Sequence, residues 1–540
     1  MRRAVAVLLL AALSAAACTG GSEPVTGPDP NEVGPTGGVA GSEPAPRPPV
    51  AGGTVRVRAA TEPDGLNPWA APASDGVSVV TRPVLAPLWR IRPDGELEPW
   101  LLAGEPEVRT EDDGTLTIVY RVRDDAFWSD GQPIDGGDVL FTLEACRALP
   151  PDQRGGQPCG AVDPAASSAE GRQATVAFTR PVGTWRTLLA DLPVLPEHLL
   201  DGRDVRSSWS QRLPVSSGPF RFASWTRGER IVLVRNDRWW GEQPALDRIE
   251  VVFDESAGVA ELLDGTIDVA TVDATLSNVE RARATPRLRV AVDAGRALET
   301  LDFNVASPRV GRAAVREVLA AALDVEVLVD EAMRPIVPAL RPRRGLLVDT
   351  APVAATGPTE GSGGGAAGLD AVGCGTATDG VAVCDGAAML LLLDVADGSW
   401  QHPLVAEYVA SQLADVGVQV VPAGDTEEWD LRVGEVPAAD PMAMARRWRC
   451  DSPANDQAYC NPALDDLLDR AGRLPPGDER DTVLAEAELM LARDRPTYPL
   501  YPVPEMLAYR SAVRGPAINS GPWGLTWNTE QWARTAAAAD

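Results

Sequence analysis

The chain has 540 residues, 44% of them hydrophobic, with 77 acidic residues against 49 basic ones and a formal net charge of −28. That size suits two or three domains, and every basic residue is Arg, which excludes Schiff-base chemistry and a phosphate-loop lysine. The acidic balance argues against a sequence-independent grip on nucleic acid or electrostatic docking on anionic lipid, since both need clustered positive charge.

Arg2 and Arg3 precede an apolar run over 4–17 that ends in small residues, the pattern of a secretory signal covering 1–17. Fourteen residues are too few to span a bilayer as a helix. Small residues directly before Cys18 resemble the lipobox of bacterial lipoproteins, in which the Cys is acylated; Ala15 stands where that motif usually has Leu. Residues 18–51 read as the lipidated Cys18 followed by a flexible Gly/Pro-rich tether. No later run is long enough to cross a membrane, so the expected attachment is the lipid alone, at the outer face of the cytoplasmic membrane. Plain secretion with Cys18 as a free thiol is the alternative.

The six remaining cysteines allow fifteen connectivities. In an exported chain they favour disulfides, and closeness in sequence favours Cys146 with Cys159, Cys374 with Cys384 and Cys450 with Cys460. Each such loop contributes ~3 kcal/mol on the chain-entropy model. Structural zinc needs closer Cys spacing or His partners, and the only histidines are His198 and His402. No metal site is expected.

Along the chain, Gly52-Gly53-Thr54-Val55-Arg56-Val57 alternates as a short strand, followed by a turn-rich stretch from Glu62 to Pro68. The Asp113-Gly114 turn opens an alternating strand that runs to Arg123, a hairpin signature. Phe127-Trp128-Ser129-Asp130-Gly131 and Gly137-Asp138-Val139 come next. Later segments include Ser217-Gly218-Pro219-Phe220, Arg235-Asn236-Asp237-Arg238-Trp239-Trp240-Gly241, Leu301-Asp302-Phe303-Asn304 and Tyr459-Cys460-Asn461-Pro462. This ordered set resembles the family 5 extracellular solute-binding proteins, the oligopeptide-, dipeptide- and nickel-binding receptors of ATP-driven (ABC) importers, over essentially all of the chain from Gly52.

The α/β class is also readable from pattern. A strand over 389–394, apolar residues at helical spacing after Pro403, a stop at Gly417 and a strand over 418–421 make a βαβ unit. The resemblance implies a two-lobed periplasmic-binding-protein-like fold (type II, with an extra N-terminal subdomain) and a hinge between the lobes. It places lobe I at 52–80, 200–285 and 500–540, the extra subdomain at 81–199 and lobe II at 286–499, with crossings near 285 and 499. The chain is then expected to be a monomeric receptor, not an enzyme, that binds a short peptide or related small solute between its lobes and delivers it to an ABC permease. A lipoprotein that keeps the fold for scaffolding or signalling is the rival.

Several motifs lead elsewhere. Gly363 to Gly368 matches a dinucleotide fingerprint by letter, but no strand precedes it and it reads as a loop. Nucleophile motifs are missing, and a hydrolase triad would need His198, in a segment of structural character, or His402, read as a solvent-side residue before Pro403. Of the 15 Trp, most are expected in the core and a few in the cleft. The resemblance brings two segments to the cleft, giving Trp69 and Ser74 from the first and Glu435 and Asp440 from the second as candidate ligand-binding residues. It also supports the Cys450–Cys460 pairing. Glu435 stands where relatives have Trp and can take a ligand cation; the competing reading is an exposed loop glutamate, and Asp440 has a competing reading as a turn residue. The low-complexity segment 334–368 departs from the family and reads as a long surface loop.

Overall fold

A computed structural model describes residues 48–536 except 71–74, 155–156, 256–257, 348–365, 379, 425, 427 and 438–440. The signal, Cys18, all but the last four tether residues, Ser74 and Asp440 therefore lie outside the described residues. Among the described residues no helix is long and apolar enough to cross a membrane.

Two sheets carry the two lobes. A seven-stranded sheet runs in the order Leu288–Asp293, Glu505–Arg510, Val269–Val272, Thr54–Ala59, Arg248–Phe253, Arg230–Arg235, Phe220–Thr226. Its central strand, Thr54–Ala59, is parallel to both neighbours and buries Val55, Val57 and Ala59 completely, leaving Arg56 and Arg58 half-buried on the other face. A five-stranded sheet has the order Gln419–Pro422, Leu390–Val395, Leu431–Val436, Leu298–Phe303, Thr497–Pro502. Here Leu390–Val395, the helix His402–Asp415 and Gln419–Pro422 form the expected parallel unit, with Val405, Val409 and Leu413 buried beneath the helix. Between 107 and 178 lies a four-stranded antiparallel sheet containing the hairpin Glu107–Thr110 and Leu116–Arg121. Against it packs the helix Gly136–Ala148, closed at its start by a capping box of Asp135 and Asp138.

Disulfides join Cys146 to Cys159, Cys374 to Cys384 and Cys450 to Cys460. The segment 334–347 is not the surface loop read from its composition. Leu340, Leu346 and Leu347 are buried, and the Glu488 carboxylate accepts the Leu346 and Leu347 backbone N–H groups at 2.9 and 2.5 Å. Apolar residues spaced among Pro and Arg found a core that composition averages away. Of the glycine match, 366 onward is described and begins the short helix Ala366–Ala371.

The strand Leu288–Asp293 belongs to the seven-stranded sheet and Thr497–Pro502 to the five-stranded one. The chain therefore crosses between sheets at 294–297 and 503–504, later on both passes than the expected 285 and 499. The two crossings touch: Val503 N–H donates to the Ala297 carbonyl at 2.8 Å. Gly295 has φ +50°, and a Cβ there would lie 2.2 Å from the Val503 carbonyl oxygen. Only glycine fits such an approach without moving the other crossing.

A buried arginine ties together lobe II. Arg316, on the helix Ala313–Ala321, is 3% exposed and donates to the carbonyls of Val310, Gly311 and Arg495 at 2.8 to 3.0 Å, and to that of Asp494. Arg316→Met removes those donors and leaves carbonyls of two chain segments unsatisfied; a loss of about 3 kcal/mol is expected in urea denaturation. Gly295→Ala is expected to cost about 2 kcal/mol in the same measurement, from left-handed backbone strain and collision with the second crossing.

Candidate functional site

A cavity of about 350 Å³ opens where the sheets meet. Its wall on the seven-stranded side holds Arg58 and residues 271–274, at the C-terminal ends of the parallel strands Thr54–Ala59 and Val269–Val272. On the five-stranded side are Ser399, Trp400 and Gln401, in the turn between the strand Leu390–Val395 and its crossover helix. The linker residues Val503 and Pro504, then Glu505, complete it with parts of 517–525. Ligands of α/β sheets bind beyond the carboxyl ends of parallel strands, because connections diverge there and leave backbone groups free. Both sheets present such ends to this cavity.

The lining carries both signs of charge. Arg58 is held by neutral partners, the carbonyls of Asp254 at 2.9 Å, Glu255 at 2.7 Å and Thr271 at 3.1 Å, so its orientation is fixed while its positive charge stays uncancelled by them. Asp273 is exposed and Glu505 half-buried on the same lining. Burial raises the Glu505 carboxyl pKa above its ordinary 4.5; a hydrogen bond from Ser520 offsets part of this, and the charges of Asp293 and Glu435 add to the rise.

Glu435 is not a loop residue. It lies on the strand Leu431–Val436, half-buried, paired in register with Glu299 on Leu298–Phe303. Ser399 Oγ, which lines the cavity, is 3.5 Å from its Oε2, so Glu435 stands one residue behind the wall. Trp69 is 3% exposed within the hydrophobic core and is not among the cavity-lining residues. Asn67 explains this: its amide donates to the carbonyls of Val205 and Ser208 at 2.5 and 2.9 Å, drawing the turn and Trp69 inward. Among the tryptophans it is Trp400 that lines the cavity, while Trp89, Trp128, Trp448 and Trp532 are fully buried.

His402 also departs from the solvent-side reading, being 2% exposed. Its position at the start of a helix, after a turn that enters the lobe interior, places its ring inward. His402 Nε2 is 3.5 Å from Glu299 Oε2, and ligand atoms of Glu299, His402 and Glu435 all lie within 4.8 Å of one another. Burial pushes the Glu299 carboxyl up to about 8; the Gln401 amide, donating at 3.1 Å, lowers it and the Glu435 charge raises it further. Arg58, Ser399, Gln401, Glu299 and Glu505 were not found by sequence reasoning. For Arg58, Ser399 and Gln401 the only signal is position, beyond the ends of the strands read at 52–57 and 389–394, while Glu299 and Glu505 lie on strands that local pattern does not mark.

The raised Glu505 pKa sets a pH dependence. The native state keeps this proton to higher pH than the unfolded chain, so it binds more protons above 4.5, and the Glu505 contribution to stability falls as pH rises through that range. Glu505→Gln is expected to flatten the decline, measured as urea midpoints at pH 4.5 to 8.

Residues 96–465 match the family model described as bacterial extracellular solute-binding proteins, family 5 Middle. Protein XP55 of Streptomyces lividans is 27% identical over 472 residues, 82% of each chain. An oligopeptide-binding protein, OppA, of Mycobacterium tuberculosis is 32% identical over 179 residues, which are 32% of this chain and 30% of OppA. The fold matches the periplasmic EDTA-binding protein EppA with a TM-score of 0.82 at 20% identity, covering 91% of this chain and 98% of that one. With the two-lobed fold and interlobe cavity in place, the match over most of its length shows that this chain belongs to the family 5 bacterial extracellular solute-binding proteins.

Proposed function

We propose that this protein is the lipid-anchored receptor of an ABC importer, which binds a short peptide or related small zwitterionic solute between its lobes and passes it to a membrane permease. The observation that carries the reading is the mixed charge of the interlobe cavity. Arg58, fixed by carbonyls, offers a site for a carboxylate, and Glu505 and Asp273 offer one for an ammonium. A volume of about 350 Å³ is at the small end for ligand pockets, which favours a solute of two or three residues over a long peptide. Family membership supports the importer role. OppA, named for oligopeptides, supports the ligand class; EppA, named for EDTA, supports small polyanionic chelates as the nearest competitor. Cys18 and the tether would hold the receptor at the membrane surface as a monomer, with its two lobes joined through the crossings at 294–297 and 503–504.

Native mass spectrometry of gently purified protein, before and after mild denaturation and refolding, tests the ligand. A co-purified mass in the di- to tripeptide range, lost on refolding, is expected. Arg58→Gln should weaken rebinding of that peptide by at least tenfold, about 1.4 kcal/mol. An empty protein that gives no thermal shift with a dipeptide and tripeptide library would remove the peptide reading and favour the scaffold one.

A further inference from the structure

Glu299, His402 and Glu435 form a cluster that the peptide reading does not use. Glu299 is wholly buried, His402 is 2% exposed and Glu435 is half-buried. His402 Nδ1 is 2.7 Å from the Ala396 carbonyl oxygen, which can only accept, so Nδ1 carries a proton and Nε2 is the ring nitrogen turned to the cluster. Nε2 lies 3.5 Å from Glu299 Oε2 without a hydrogen-bond partner, and Glu299 Oε1 has none either. On the strand flanking Glu299 on its other side, the Tyr501 hydroxyl is buried without a partner.

Two carboxyl groups facing each other on neighbouring strands repel once both are ionised. The imidazole nitrogen placed with them adds a third ligand atom to the same space. Buried polar atoms are nearly always satisfied, so the unpartnered Glu299 Oε1 and His402 Nε2, with Glu435 beside them, suit a shared electrophile. The Ala396 carbonyl also holds His402 as a ligating histidine is held, fixing the ring plane and aiming Nε2 at the site.

We propose that Glu299, His402 and Glu435 bind a divalent transition-metal ion of the zinc class. One imidazole nitrogen with two carboxylate oxygens suits Zn²⁺ better than Ca²⁺ or Mg²⁺, which favour all-oxygen shells. Ligand atoms within 4.8 Å of one another reach bonds of about 2.0 to 2.2 Å after side-chain shifts on the order of 1 Å. Three protein ligands leave one position of a tetrahedral ion for water. Glu435 and Glu299 each stand one residue behind the cavity wall, in contact with Ser399 and Gln401 respectively, so the ion would enter from the cavity. This revises the expectation that two histidines are too few for a metal: one is enough when two acidic strands supply the rest.

The test uses the full chain, stripped with a chelator and dialysed, then titrated with Zn²⁺ against a chromophoric competitor, with metal content by mass spectrometry. One zinc per chain and a zinc-dependent rise in melting temperature are expected. Glu435→Gln, an isosteric change at a half-buried position, should weaken zinc binding at least tenfold while near-ultraviolet circular dichroism stays native. His402→Ala should abolish binding; should it fail to fold, Glu435→Gln alone decides. Absence of stoichiometric uptake by the unsubstituted protein, or unchanged affinity in the folded Glu435→Gln variant, overturns the proposal.

Discussion

The close contact between the two interlobe crossings is the constraint on which the remaining geometry rests. Leu288–Asp293 pairs with Glu505–Arg510 in one sheet, and Leu298–Phe303 pairs with Thr497–Pro502 in the other. The same two stretches of chain thus run side by side through both sheets, interrupted between the sheets at 294–297 and 503–504 and bulged once between Glu299 and Thr300. Val503 N–H bonded to the Ala297 carbonyl, and Gly295 lying under the Val503 oxygen, keep that interruption tight. A two-stranded ribbon bends more easily than it shears, because shear would break the ladder on both sides while bending concentrates the change in a few dihedrals. It also fixes where a ligand can meet both lobes, since Val503 and Pro504 are part of the cavity lining.

Much of the fold was legible because the recognisable segments occupy tightly constrained positions. Trp128 Nε1 donates to the Asp138 carboxylate at 2.9 Å, and Asp138 also accepts the Glu197 N–H at 2.8 Å, so the Phe-Trp-Ser-Asp-Gly and Gly-Asp-Val segments belong to one buried network. Ser217 and Gly218 meet the 83–86 turn: Ser217 Oγ accepts the Ala86 N–H, and a Cβ on Gly218 would lie 2.4 Å from the Pro83 carbonyl. Such sites tolerate few residue types and leave a pattern in sequence. The βαβ unit at 390–422 was legible for a different reason, the change of apolar period from strand to helix and back.

The candidate site was much less legible. Arg58 follows directly on a strand that was recognised, yet nothing in its neighbours says that its partners are carbonyls two hundred residues away. His402 looked like a polar residue before a helix-starting proline, and helical spacing alone does not say how that first turn is aimed. Trp69 illustrates the converse: it was placed at the cleft through likeness to relatives, while Asn67 and the carbonyls it binds draw it into the core. Long-range pairing decides each of these cases, and it is the part of a fold that local pattern encodes least.

An acidic protein without lysine must bury some of its carboxylates against arginine or backbone donors, and the contrast among those carboxylates is informative. Asp268 meets Arg534 and the Arg56 N–H, Asp302 meets Arg447 and the Thr497 hydroxyl, and Asp430 meets Arg309 and the Leu392 N–H. Glu488 caps two backbone N–H groups. In each case a donor or a positive charge compensates for lost hydration, as burial of a carboxylate requires. Glu299 is as buried as any of them, but it receives one amide hydrogen bond from Gln401 and otherwise faces a second carboxyl group and an imidazole nitrogen. Four of these five buried acids are explained by folding alone. The fifth has the atoms of a ligand set and meets burial by holding its proton instead of by a charged partner, which is the pattern expected where a protein keeps a buried carboxyl for something it binds.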